Sequence, residues 1–366
     1  MIYSIHFHSM NKLNDITVLM SATSSPTMPG AYKSFKNVKE RNIRLIGADM
    51  TSDPSAKYLV DVFYKVPPVS SDDYIDRILE ICKKERVDIY FPSISAEVTK
   101  VAARREEFED IGVKISISNL ESVEIANNKL YTYQVLEAAG IPVPKYYGVH
   151  SVEDFINGCR YMGYPEKPVC IKIVDGSGSR GVRIIDANKS RYDIFANEKP
   201  NSFYTSYEDM LSVLKSASKL REMMLVEFMH GPEYTVDLLA NEGQTLYIAG
   251  RENTLSLMSI AMESVVKKDA EAFKISEDVV RLLKMDGNVG FDFMRNEREE
   301  PVLMDINPRT TATISLFAAA GLDLRYLRIK QLLGELLPEV KAVEGTRIRR
   351  RYDEIFTDPE GNYIDF

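Results

Sequence analysis

The segment Val169-Cys170-Ile171-Lys172-Ile173-Val174-Asp175-Gly176-Ser177-Gly178-Ser179-Arg180-Gly181-Val182 decides how the chain is read. An apolar strand carrying one lysine, Val169 to Val174, enters a loop of glycine and serine and leaves it into a second apolar run. Small residues let backbone N–H groups and hydroxyls close over a phosphate, and Lys172 and Arg180 can offset its charge. No Gly-Lys-Ser/Thr follows at Walker A spacing. The plain alternative is a hairpin turn, which the same composition also makes.

A second constellation lies toward the C-terminal end. Asp292 sits in the apolar strand Val289 to Phe293 and Asp305 in Val302 to Ile306, with a charged turn, Arg295 to Pro301, between them. Paired as a hairpin these strands bring the acids together, and the two-residue strand period puts Asp305 and Asn307 on one face. Two carboxylates and an amide oxygen form a hard donor set suited to Mg2+ with bound phosphates. An acid in an apolar strand is costly to bury unless paired or liganded, which favours a metal over a satisfied strand acid. Arg309, two residues beyond Asn307, can fork onto a transferring phosphoryl group.

Outward from these motifs the chain reads as α/β. Ile16 to Met20, a helix from Ala31 to Arg41, Ile43 to Gly47, Leu59 to Val66, a helix from Asp72 to Arg86 and the strand Val87 to Phe91 alternate as βαβ units on a parallel sheet. The first 120 residues are therefore expected to be Rossmann-like. The turn from Ser21 to Gly30 lacks the closely spaced glycines of a dinucleotide site, so Asp49 reads as a strand-end or turn residue. A helix from Asn127 to Ala139, stopped by Gly140 and followed by Ile141-Pro142-Val143-Pro144, predicts a domain junction. The polar stretch Asp186 to Ser206 predicts an irregular surface insertion. Beyond it a helix (Tyr207 to Leu220), a strand (Met224 to Phe228), an antiparallel pair (Tyr234 to Ala240 with Thr245 to Gly250), a helix (Asp269 to Leu283) and helices after Ala312 predict an α+β unit.

Composition excludes several classes. At 366 residues and 45% apolar side chains the chain holds two or three domains of about 150 residues. Its 46 basic and 54 acidic residues give a net charge of −8, which argues against a nucleic-acid partner. Cys82, Cys159 and Cys170 show no zinc spacing, and a reducing cytoplasm is expected. No apolar run is long enough to span a membrane, and the first twenty residues lack a signal-peptide pattern. The four histidines have no acid and nucleophile partners, and His230 reads as structural. The run Arg347, Arg349, Arg350 and Arg351 alternates with Ile348 beside Asp353 and Glu354, and reads as a paired or solvated terminal strand.

The ordered set of motifs resembles the ATP-grasp superfamily, most closely its carbamoyl-phosphate-synthase-like branch of carboxylate-amine ligases. The resemblance implies a Rossmann-like pre-ATP-grasp domain over residues 1–120 and a two-lobed ATP-grasp domain over 121–345. Lobe A would span about 145–225, lobe B about 226–345, and a C-terminal tail 346–366. VCIKIVDGSGSRGV is similar to the family's lysine strand and phosphate loop. Lys172 would then contact the phosphates, and Gly176, Ser177, Gly178, Ser179, Arg180 and Gly181 would cover them. Lys129 matches the earlier nucleotide-binding lysine. LVEFMHGPEYTVD is similar to the interlobe hinge, so the segment Glu227, Phe228 and Met229 would take the adenine edge and Glu233 the ribose. MDINPRTTAT is similar to the metal strand, giving Asp292, Asp305 and Asn307 as ligands and Arg309 as the phosphoryl clamp. Asn128 stands where the family usually has Asp, and Asp305 where it mostly has Glu. The segment Thr254 to Ser259 lacks the glycine commonly found there.

The activity so implied is ATP-dependent joining of a small-molecule carboxylate to an amine through an acyl phosphate, releasing ADP and Pi. Mg2+ would serve as one or two ions, with Mn2+ as a substitute. Arg251 is a candidate for gripping the acceptor carboxylate or the γ-phosphate; its plain alternative is a charged strand end. Kinase-like phosphorylation of a metabolite and a non-catalytic nucleotide-binding module are the competing classes. A homodimer is common in the family, but the residues do not read out assembly. Substrate choice is expected from residues 21–30 and 251–264.

Overall fold

The computed structural model describes residues 12–176, 178–257, 260–351 and 353–365. β1 (Ile16–Ser21), β2 (Ile43–Asp49), β3 (Val62–Lys65), β4 (Ile89–Phe91) and β5 (Lys114–Ile115) form a sheet in the order β3-β2-β1-β4-β5, every pairing parallel. A parallel sheet is covered on both faces, so alternate residues enter different cores. Leu19 joins Tyr74, Ile78 and Phe108, whereas Val18 and Met20 join Tyr32 and Phe35. The helices that supply these residues and flank them are α1 (Met28–Lys36), α2 (Tyr74–Glu85), α3 (Ser95–Ala103) and α4 (Arg105–Glu109). α1 starts three residues before the expected Ala31 because Pro29 presets its first turn. The expected strand from Leu59 starts only at Val62, after a 3-10 turn over Ser55–Leu59. Asp49 is the turn residue anticipated: its carboxylate accepts from the N–H groups of Ser24 (2.7 Å) and Thr51 (2.8 Å).

The helix that periodicity predicts over 127–139 is α6 (Lys129–Ala138), and a further helix, α5 (Leu120–Asn127), ends just before it. Asn128 between them is extended (φ −116°, ψ 97°), and its side chain accepts from the N–H of Tyr131 at 2.8 Å. A short amide that satisfies the free donors of a new helix start competes with continuation of the old one.

Lobe A consists of β6 (Tyr146–Val149), α7 (Val152–Met162), β7 (Val169–Ile173), β8 (Val182–Ile185), α8 (Arg191–Asn197), β9 (Tyr204–Thr205), α9 (Tyr207–Ser216) and β10 (Met223–Glu227), with sheet order β6-β10-β7-β8-β9. Phe155 and Cys159 from α7 and Leu214 from α9 pack on Ile171 and Leu225. The stretch 186–206 is not wholly irregular, since Ser190 and Asp193 form a reciprocal cap that starts α8. It has no apolar period because α8 buries none of its residues.

Lobe B is a six-stranded antiparallel sheet of β11 (His230–Asn241), β12 (Gln244–Leu257), β13 (Ile260–Val266), β14 (Gly287–Arg295), β15 (Pro301–Asn307) and β16 (Arg347–Arg349), in the order β15-β14-β11-β12-β13-β16. Positive φ at Glu242 (45°) and Gly243 (90°) makes the tight turn between β11 and β12. α10 (Ala270–Leu283) covers one face; α11 (Ser315–Ala319) and α12 (Leu324–Leu332) cover the other. The arginine-rich segment is the paired terminal strand expected, with Arg350 donating to the carbonyls of Ala261 (2.9 Å) and Ala312 (3.1 Å). α12 also ties the units together, because Ile329 enters the N-terminal core and Arg328 pairs with Asp286 at 2.5 Å.

Replacing Asn128 with Ala removes the α6 cap and is expected to cost about 1 kcal/mol, read as a lower urea midpoint with an unchanged slope. Asn128→Asp keeps the acceptor and is expected to leave the midpoint in place; equal losses in both variants would show that the cap is not what matters.

Candidate active site

Register places Asp292 on β14 directly opposite Asp305 on β15, and Asn307 opposite Gly290. Asp292 accepts from the Thr235 hydroxyl at 2.9 Å and from the Asn307 amide at 2.9 Å. Burial, reinforced by the neighbouring carboxylates of Glu233 and Asp305, pushes Asp292 up to about 7. Acids held this close favour a cation among them, and the donors are all hard oxygens, so the set fits Mg2+ or Mn2+. Among the described residues no three His, Cys, Asp or Glu side chains converge as a metal cage, so the amide of Asn307 is needed to complete the set.

Two cationic side chains meet this floor. Lys129, at the first turn of α6, donates to the Gly176 carbonyl at 2.8 Å and lies 3.4 Å from Asp305. Arg309 contacts the Asn307 side-chain oxygen (3.2 Å) and the Ser95 hydroxyl at the start of α3 (3.3 Å). Burial draws the Arg309 guanidinium below its ordinary value, against the pull of Asp292 and Asp305. Ser95, Lys129, Gly176, Gly178, Asp305 and Arg309 line a cleft of about 260 Å3. It lies beyond β4, where the strand order of the N-terminal sheet changes direction.

The glycine loop closes the cleft from lobe A. Gly178 (φ 60°), Ser179 (55°) and Gly181 (73°) adopt left-handed backbone, and a Cβ on Gly181 would fall 2.4 Å from Ile173. Arg180 belongs to the same turn, and Ser177 lies outside the described residues, as do Met258 and Ser259 of the β12–β13 turn. Lys172 is half-buried between Met224 and Val182, on the face of β7 that carries Cys170. An apolar seam between the lobes joins Tyr133, Val174, Met224, Val226, Met229 and Met304. Glu227 is held by Lys145, whose N–H donates to its carboxylate at 2.7 Å and whose carbonyl receives its N–H at 3.0 Å. Phe228 meets His230 edge-on, 4.8 Å between rings, which leaves His230 a packing residue. Arg251 lies inside β12 rather than at a strand end, 4% exposed, and donates to Asn253.

Sequence reasoning missed the second row of this site. Asn253 donates to Glu233 (3.1 Å) and Thr235 (3.3 Å) and accepts from Ser264 (2.8 Å) and Arg251, so one buried amide links the expected ribose acid to the metal strand. The signal was present: Glu233, Thr235 and Asp237 alternate with Tyr234, Val236 and Leu238, a polar face on a strand whose other face is core. Glu97 does not face the cleft; it is fully buried and accepts from Ser21, Tyr74 and the Ser93 N–H at 2.5, 2.5 and 3.0 Å, and from Tyr90.

The chain is similar to known proteins. Family profiles described as a PylC-like N-terminal domain, a sugar-transfer associated ATP-grasp and an ATP-grasp in the biosynthetic pathway with Ter operon match residues 23–116, 114–274 and 219–354. The carbamoyl phosphate synthase large chain of Thermoplasma acidophilum is 24% identical over 284 residues, 73% of this chain and 25% of its own length. The D-alanine–D-alanine ligase of Pseudomonas entomophila is 23% identical over 278 residues, 70% of this chain and 79% of its own. The ADP complex of the N5-carboxyaminoimidazole ribonucleotide synthetase purK superposes with a TM-score of 0.65 at 15% identity, covering 92% of this chain and 81% of that one. An L-amino acid ligase from Bacillus licheniformis superposes at 0.60 and 12% identity, covering 89% and 75%. The chain thus spans about a quarter of the carbamoyl phosphate synthase it matches and most of the smaller ligases. The two ATP-grasp profiles together span residues 114–354, and on these matches the chain belongs to the ATP-grasp superfamily.

Proposed function

We propose that this chain is an ADP-forming ligase that activates a small carboxylate with ATP and passes it to an amine. The observation that carries the reading is the convergence of Asp292, Asp305, Asn307, Lys129 and Arg309 on one cleft beneath a glycine loop. Relatives named as ligases match most of the chain, and a structural neighbour was determined with ADP.

The adenine lies on the interlobe seam beside Glu227 to Met229, with Glu233 on the ribose. Lys172 and the loop Gly176 to Gly181 hold the inner phosphates, and Lys129 spans from the loop to the metal strand. Asp292, Asp305 and Asn307 would hold Mg2+, as one or two ions, or Mn2+, which when bound would neutralise phosphate charge. Arg309 and Arg251 stabilise the γ-phosphoryl as a substrate carboxylate oxygen attacks it and the bond to ADP breaks. The glycine loop excludes water from the acyl phosphate. The amine lone pair then forms the C–N bond, phosphate leaves with the C–O electrons, and the amine proton passes to phosphate or solvent. A reducing, cytoplasmic setting agrees with the free, buried Cys82, Cys159 and Cys170. No helix among the described residues is long and apolar enough to cross a membrane.

Incubation with Mg-ATP, pooled carboxylates and pooled amines, followed by mass spectrometry, is expected to give ADP and a dehydrated conjugate. Both are expected to vanish in Asp292→Ala with Asn307→Ala. A phosphorylated product without an amine requirement would replace the ligase by a kinase-like enzyme, and nucleotide binding without turnover would make the chain a regulatory module.

Arg309→Ala is expected to lower kcat about 100-fold or more while ADP affinity changes little, because the guanidinium meets the transferring group. Equal loss of ADP affinity, measured by calorimetry, would place Arg309 in nucleotide binding instead.

A further inference from the structure

Glu97, in the first turn of α3, is fully buried, and among the described residues its carboxylate is held by neutral donors. One oxygen accepts from the hydroxyls of Tyr74 (2.5 Å) and Tyr90. The other accepts from the Ser21 hydroxyl (2.5 Å) and from the N–H groups of Ser93 (3.0 Å) and Ile94 (3.3 Å). These partners come from β1, α2, β4 and the turn that follows β4. A carboxylate taken out of water without a cation is costly, and an apolar side chain would fill the same core with no such cost. What the acid supplies instead is geometry, because a fully satisfied polar network admits one arrangement of its members.

That arrangement fixes where α3 begins. The Ser93 N–H also donates to the Ser21 hydroxyl at 2.9 Å, so the turn at 93–94 is anchored to β1 as well as to Glu97. From the other side Asn127, at the end of α5, donates to the Ser95 carbonyl (3.1 Å) and the Thr99 hydroxyl (2.9 Å). Ser95, the first residue of α3, stands between these anchors and lines the cleft, its hydroxyl accepting from the Arg309 Nε at 3.3 Å. The other hydrogen bonds of the Arg309 guanidinium go to Asn307 (3.2 Å) and Thr310 (3.0 Å), its near neighbours in sequence. Those two partners travel with Arg309. Ser95 belongs to the N-terminal unit, so it is the contact that sets the direction of the guanidinium relative to the rest of the cleft.

We infer that Glu97 is a positioning residue for Arg309. By fixing the turn at 93–94 it holds the Ser95 hydroxyl where the Arg309 Nε donates, and so aims the guanidinium into the cleft. Glu97 itself touches neither nucleotide nor substrate and acts through Ser95. That the guanidinium so aimed meets a phosphoryl group rests on the ligase reading; that Glu97 sets its direction does not.

The test follows the Arg309 Nε–H directly, by NMR of the full chain with 15N-labelled arginine, the signal being identified by its loss in Arg309→Lys. Ser95→Ala and Glu97→Gln are each expected to speed exchange of this proton with water about five- to tenfold, the weight of one hydrogen bond. Ser95→Thr is expected to restore the slow rate. Ile78→Val, which weakens the same buried core without touching the turn, is expected to leave it unchanged. Should Glu97→Gln fail to fold, Ser21→Ala, which removes one donor to the carboxylate and one acceptor of the Ser93 N–H, carries the comparison with a rise in the same direction. In the product assay Glu97→Gln is expected to lower kcat about tenfold or more with the KM for ATP unchanged. An Arg309 signal indifferent to Glu97 and Ser21, an equal rise in Ile78→Val, or an unaltered kcat where conjugate forms overturns the assignment. Faster exchange in a chain that forms no conjugate sinks the ligase reading and leaves this one standing.

Discussion

Asp292 and Asp305 stand opposite each other across two strands, with Glu233 close by on β11. Like charges at that spacing repel more strongly as water is withdrawn from them. The surrounding side chains answer that repulsion. Thr235 and Asn307 donate to Asp292, Asn253 donates to Glu233, and Lys129 approaches Asp305. The donors reduce the repulsion without removing it, and burial first, with the remaining repulsion second, pushes Asp292 up to about 7. A divalent cation among these oxygens would remove the rest, so the arrangement that burdens the bare fold is one that a cation would relieve.

That constraint also explains the hydrogen-bond pattern of lobe B. A β-sheet with one apolar face can hold a row of polar side chains on the other only where each finds a partner. Asn253 partners four groups at once, and Ser264 on β13 fixes its orientation. Such a network is rigid because losing one member leaves the others unsatisfied. The side-chain oxygens of Glu233, Thr235 and Asp292 are thereby held in fixed positions relative to one another.

How far the sequence reveals this depends on range. The glycine loop, the acid pair on the β14–β15 hairpin and the parallel N-terminal sheet were legible because their signals are local: spacing, strand period, apolar runs. α5 was not, since its buried Val123, Ile125 and Ala126 lie directly before the stripe of α6 and only the cap at Asn128 separates the two helices. α8 was hidden for the opposite reason, having no buried residue to make a stripe. Arg325 could not be read at all. Its position in α12 resembles any helix arginine, and only packing of α12 between lobe B and the N-terminal core buries it.

The same packing makes the site a property of three units together. Ser95 from the N-terminal unit contacts Arg309, Lys129 from the connecting helix contacts both the lobe A loop and the lobe B metal strand, and Asn127 ties α5 to Ser95 and Thr99 at 3.1 and 2.9 Å. Arg309 is half-buried, and a guanidinium partly withdrawn from water relies on its oxygen partners to offset the lost hydration. Withdrawal of the N-terminal unit would uncover Arg309 to water and remove one of those partners. The contact between Arg309 and Ser95 therefore needs the N-terminal unit and lobe B docked, and α12, shared between their cores, is the strut that keeps them so.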